Sequence, residues 1–122
     1  MKRGEVYIVG LDPTIGSEQQ KKRPCVIVKI TVPDELEAKN PITLIVPIAD
    51  ANGRPGNLLH VLVAKGVGGM TKESRILCQQ VRAIDKRRIV GPKIGEMPPT
   101  IMELVDNGLR AILDLDATPR NG

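Results

Sequence analysis

The apolar residues of this chain come in short, β-branched runs cut by proline and glycine, and their rhythm changes only once, at Pro98. Glu5–Leu11, Pro24–Thr31, Ile42–Ile48, Leu58–Val63 and Ser74–Gln80, the last continued by Val81–Ile84, each have the length and composition of a strand. After Pro98-Pro99, residues Ile101, Leu104, Val105, Ile112 and Leu115 fall near one face at helical spacing. The two prolines suit a helix start, where a missing N–H costs nothing. Several short strands and one final helix predict a mostly β domain, a small and strongly bent antiparallel sheet or barrel closed by a C-terminal helix. The 122 residues suit one such domain, over 1–116, with a polar tail at 117–122.

The punctuation adds local expectations. Residues 32–41 are polar and bounded by proline, which predicts an exposed loop. Pro47 interrupts the third run and predicts an edge strand or a bulge. Asn52–Asn57 and Gly66–Gly69 read as turns, Asp85–Ile89 as a helical turn, and Pro92 and Gly95 as the end of that region. Gly108 lies inside the helix at a cost of about 1 kcal/mol relative to alanine, for which close packing is the expected reason.

The core has to be aliphatic, because the chain holds one tyrosine and neither phenylalanine nor tryptophan. The same lack removes the aromatic platforms on which many proteins stack single-stranded bases, so any grip on nucleic acid comes from charge, amides and backbone. The net charge is +4. Residues 98–122 carry Arg110 and Arg120 against Glu103, Asp106, Asp114 and Asp116, which leaves the basic excess on the rest of the chain. That distribution fits a polyanionic partner and equally a solvated surface. Cys25 and Cys78 each lie in an apolar run and read as buried thiols. Two cysteines and one histidine are too few for a zinc site, so neither metal nor cofactor is expected. No apolar run approaches the roughly 20 residues of a membrane span, and the cationic N-terminus lacks the apolar segment of a signal peptide. A cytoplasmic protein is expected.

Chemistry concentrates in the connection Leu11–Pro24, which turns at Asp12-Pro13, passes through Gly16-Ser17-Glu18-Gln19 and ends in Lys21-Lys22-Arg23. Pro24 fixes the entry of the strand and holds Arg23 at its lip. A guanidinium there can bind a phosphate through its planar fork and stabilise charge that develops on it. A plain surface arginine paired with Glu18 or Asp12 is the alternative. His60 is the one side chain with an ordinary pKa near 7, but it alternates with Leu58 and Leu62 and reads as a packed or edge residue rather than a base. Arg82 reads as a structural anchor, and Lys86-Arg87-Arg88 as a basic surface or a solvated turn.

Arg3-Gly4-Glu5-Val6-Tyr7, Leu11 to Gln19, Arg23 to Val28 and Leu77-Cys78-Gln79-Gln80-Val81-Arg82-Ala83-Ile84-Asp85-Lys86 together resemble the MazF/PemK (Kid) toxin family, in order and over nearly the whole chain. The resemblance implies an SH3-like barrel that forms a homodimer. It also implies the toxin of a type II toxin-antitoxin system, a metal-independent endoribonuclease that cuts single-stranded mRNA and is held by a small acidic antitoxin. In that chemistry the ribose 2′-OH attacks the adjacent phosphorus, leaving a cyclic phosphate and a 5′-OH. Arg23 matches the family's catalytic arginine. Ser17, Glu18 and Gln19 match the loop that lines the RNA groove, and Arg3 matches a basic residue before the first strand.

Two positions depart from the pattern. Relatives commonly carry a threonine where this chain has Ala49, and an acid where it has Gln79, whose amide can hold RNA but cannot move a proton near neutrality. Thr43 lies at the other end of the same strand, and Asp50 comes round only if Pro47 introduces a bulge. Two further readings therefore stand beside the nuclease: a chain of this fold that binds RNA or antitoxin without cutting, and a gyrase poison like the CcdB relatives.

Overall fold

The computed structural model describes residues 1–12, 21–29 and 33–115. Its strands are β1 (Glu5–Gly10), β2 (Lys22–Ile27), β3 (Ile42–Asp50), β4 (His60–Val63), β5 (Ser74–Leu77), β6 (Arg82–Asp85) and β7 (Ile89–Glu96). Two α-helices, α1 (Asp34–Lys39) and α2 (Pro99–Leu113), complete the fold. The strands pair antiparallel in the order β4-β5-β3-β2-β1-β7, and β6 also pairs with β3. The mostly β architecture with a C-terminal helix matches the reading from sequence, and the pairing path ends at β4 and β7 without closing on itself.

Both faces of the sheet are packed, because the strands alternate small aliphatic side chains to either side. Val6, Val26, Val46, Ile48, Val61, Val63 and Ile76 meet Met102 and Val105 of α2 in the larger core. On the opposite face Val9, Leu11, Cys25, Ile27, Ile45 and Ile84 form a smaller one, with Tyr7 against it. Both cysteines are buried and free. Burial pushes the Cys25 thiol up to about 12 and the Cys78 thiol up to about 11, so both stay protonated and inert near neutrality.

Pro47 marks neither an edge nor a bulge. β3 is central, with β2 on one side and two successive partners on the other. Ile45 is the last residue paired with β6 and Ile48 the first paired with β5, so Pro47 falls where the partners change. The expected single run over 74–84 is divided for the same reason. A 3₁₀ turn at Cys78–Gln80 carries the chain from one half of β3 to the other.

The polar stretch 32–41 holds a helix, α1, rather than only a loop. Glu37 ties it down, since it takes ion pairs from Lys29 and Lys86, the latter at 2.7 Å, while Lys86 Nζ also donates to the Glu37 carbonyl at 2.9 Å. Those lysines hold the Glu37 carboxyl at about 2. Pro92 and Gly95 do not end a region but lie within β7. Gly95 is required there, because a Cβ would sit 2.2 Å from the Gly68 carbonyl oxygen where the backbones of β7 and the Val67–Gly69 turn cross.

The final helix forms with Pro99 at its first turn, but its buried face is Met102, Val105 and Gly108; of the expected face, Leu104 is exposed and Leu115 is exposed beyond the helix end at Leu113. Gly108 packs as its position suggested. A Cβ there would lie 2.7 Å from the Leu58 carbonyl oxygen and 2.9 Å from Cys78 Sγ.

Candidate active site

The end of β1 is gripped by arginines from distant parts of the chain. Arg88 Nη1 donates to the carbonyls of Gly10, at 3.2 Å, and Asp12. Arg82 Nη1 donates to the Leu11 carbonyl between them at 3.4 Å. The neck of the connection is closed by Leu11 N–H to the Lys21 carbonyl at 2.9 Å and by Lys21 N–H to Asp12 Oδ1 at 3.0 Å. Residues 10–12 and 21 are therefore held together on a fixed base. Arg82 is an anchor, as its sequence suggested.

Arg23 lies in β2 beside this neck, opposite Val9 of β1. β2 begins at Lys22, so Arg23 is inside the strand and Pro24 pairs with Ile8. Arg23 shares the face of Val9 and Cys25, and its Nε is enclosed with no hydrogen-bond partner. Asp12 does not pair with it, since the Asp12 carboxylate accepts from Lys21. An enclosed donor left unpaired costs about 1–3 kcal/mol, and among the described residues nothing offsets that cost at Arg23 Nε. At the same end of β2, Lys21, Lys22, Arg87 and Arg88 line an open groove of about 670 Å³ with Gly10, Asp12 and Val90. Gly10, Lys22 and Val90 lie on the other face of the sheet from Arg23. Asp85 takes both Nε and Nη2 of Arg87, at 3.0 and 3.1 Å.

The other predicted residues are distributed as follows. Ser17, Glu18 and Gln19 lie outside the described residues. Gln79 is exposed in the 3₁₀ turn after β5. Arg3 stands at the opposite end of β2 from Arg23: its Nε donates to the Val28 carbonyl at 3.1 Å and its Nη2 pairs with Asp106 of α2. Arg3 thus pins the helix to the sheet and is not brought to Arg23.

Ala49 is opposite Arg75 of β5, and Cys25 is opposite Pro47. Side chains alternate along a strand, so Arg23, Ala49 and Arg75 occupy one face of three adjacent strands. Asp50 is turned to the other side, 3.7 Å from Lys72, and does not replace a group at Ala49. Thr43 is buried at the far end of β3. His60 of β4 is the neighbour of Arg75, with Nδ1 3.3 Å from Arg75 Nη1. Burial, together with the cations Arg75 and Arg54, holds its pKa below the ordinary histidine value. It is a half-buried edge residue, as expected, but its bond to Arg75 was not legible from spacing.

Similarity to known proteins decides the family. A family model described as the PemK-like, MazF-like toxin of type II toxin-antitoxin system matches residues 2–113. The chain belongs to this family. Endoribonuclease PemK of Escherichia coli is 34% identical to it over 113 residues, covering 93% of this chain and 82% of that protein. Endoribonuclease EndoA of Bacillus subtilis is 30% identical over 115 residues, covering 94% and 96%. The fold is shared with MazF from Deinococcus radiodurans, at a TM-score of 0.75 and 18% identity over 93% of this chain and 96% of that one. It is also shared with a mycobacterial endoribonuclease solved in complex with its cognate antitoxin, at 0.72 and 17% over 97% and 99%.

Proposed function

We propose that this chain is the toxin of a type II toxin-antitoxin pair and cuts single-stranded mRNA without a metal, by attack of a ribose 2′-OH on the adjacent phosphorus. The 2′-O–P bond forms as the P–O5′ bond breaks, giving a cyclic phosphate and a 5′-OH. The observation that carries the reading is Arg23, a half-buried guanidinium on rigid strand backbone whose Nε is enclosed and unused. It is positioned to bind non-bridging phosphate oxygens and to neutralise the charge they gain in the phosphorane. Ser17, Glu18, Gln19 and Gln79 are assigned to holding the RNA strand; Arg3 acts through the helix it anchors.

The basic groove of Lys21, Lys22, Arg87 and Arg88, at the same end of β2 as Arg23, suits a single strand before cleavage and an acidic antitoxin tail when the toxin is held inactive. A homodimer is supported by Ile42 and Leu44, which leave apolar surface on β3, each 41% exposed. No described helix is long and apolar enough to cross a membrane, and cytoplasmic mRNA is the substrate this reading requires.

Cleavage-site mapping on a long RNA, with chelator present, tests the proposal. Wild type should give discrete cuts with 5′-OH ends, and Arg23→Ala should lower the rate about 100-fold or more while the protein stays folded and dimeric. A wide panel of RNAs left intact by folded wild type would overturn cleavage and leave a binding protein of the same fold.

A further inference from the structure

Arg75 is the charged side chain whose burial is hardest to explain. It lies within β5, is 8% exposed, and takes part in no ion pair among the described residues. Its bonds go to neutral groups, from Nε to the Asp50 carbonyl at 3.4 Å and between Nη1 and His60 Nδ1 at 3.3 Å. Removing a guanidinium from water without a carboxylate costs several kcal/mol, and two long bonds to neutral acceptors offset little of it. Burial for stability alone would favour an apolar side chain at this position, so the charge itself calls for an explanation.

Strand register supplies one. Ile48 and Ile76, a cross-strand pair, both enter the larger core, so their neighbours Ala49 and Arg75 face the other way. The register Cys25 to Pro47 puts Arg23 on that same face, two residues beyond the last β2–β3 pair. Arg23 and Arg75 therefore flank Ala49 from two sides, with about 10 Å between their backbones at ordinary strand spacing. Between them β3 carries only the methyl of Ala49 on this face.

We infer that Arg75 is a second phosphate-binding residue of the candidate active site, contacting the same scissile phosphate as Arg23 from the opposite side of Ala49. The inference rests on the RNA-cleaving reading above. As the 2′-O–P bond forms and the P–O5′ bond breaks, negative charge accumulates on the non-bridging oxygens. Arg75 stabilises it, and no proton is exchanged at Arg75, which stays protonated throughout. His60 is the positioning residue. It accepts from Arg75 at Nδ1, so its own proton sits on Nε2 and the ring is neutral.

Arg75→Met tests the assignment, because it keeps the stem and removes only the charge. The melting temperature should hold or rise, while single-turnover cleavage falls about 100-fold. Affinity for a mixed-sequence DNA strand, which lacks the 2′-OH and cannot be cut, should fall about tenfold. Arg75→Lys should recover part of both losses. A folded Arg75→Met that cuts at the wild-type rate, or one that melts lower with cleavage intact, overturns the inference and makes Arg75 structural. If Arg75→Met does not fold, a wild-type rate in Arg75→Lys overturns it. The RNA-cleaving reading fails separately, by the absence of cleavage in wild type. Even then, equal DNA binding by wild type and Arg75→Met would overturn the role of Arg75.

Discussion

At the scale of single residues, the chain keeps positive charge where protein packing alone would not. Arg23 and Arg75 both hold guanidinium surface away from water without carboxylate partners among the described residues, and His60 beside Arg75 stays neutral. Its lowered pKa has a consequence whose sign is fixed. Between the folded value and the ordinary value near 6.5, the unfolded chain binds more protons than the folded one, so stability is lost as pH falls through that window. Thermal melting from pH 7 to pH 5 should show this decline, and His60→Gln, which cannot charge, should flatten it. A decline unchanged in that variant would place the titration elsewhere.

At the scale of elements, the fold depends on a few close approaches. Helix α2 reaches the sheet at Gly108, against the Leu58 carbonyl and Cys78. Alanine there would normally favour the helix by about 1 kcal/mol. Here its methyl meets backbone, which cannot move without shifting the approach to β4. Gly108→Ala should therefore destabilise the protein by about 1–3 kcal/mol, measured by chemical denaturation. A gain in stability would show that the helix stands farther off. Helix α1 is held by charge instead, through Glu37 and its two lysines. Its sequence reads as loop because six residues of Asp-Glu-Leu-Glu-Ala-Lys carry little periodicity, and the lysines that fix it come from outside the segment.

For the molecule as a whole, four cations from two separate stretches of the chain, Lys21, Lys22, Arg87 and Arg88, meet in one groove at the end of β1. The groove of Lys21, Lys22, Arg87 and Arg88 has no aromatic platform, so on the proposed function it would hold RNA through the phosphates. Affinity for single-stranded RNA should then fall steeply with salt. The double variant Lys22→Ala and Arg87→Ala should reduce the slope of log affinity against log salt by about 1 for each phosphate the groove no longer neutralises, with little dependence on sequence. An unchanged slope would remove the groove from the RNA path.

The mostly β architecture, the final helix with its closely packed glycine and the aliphatic core followed from sequence, because alternation, helical spacing and turn residues are local signals. The sequence also placed two buried thiols and an anchoring arginine correctly. Tertiary structure decided what depends on register and on partners far along the chain. Pro47 is central because β3 changes neighbours there, and Asp50 faces Lys72. Arg3 goes to the helix, while Arg75, an ordinary strand residue in sequence, stands across Ala49 from Arg23. A strand's residues show which face they share, but which strands lie side by side is set by burial of the whole sheet, and that is what assembled the site.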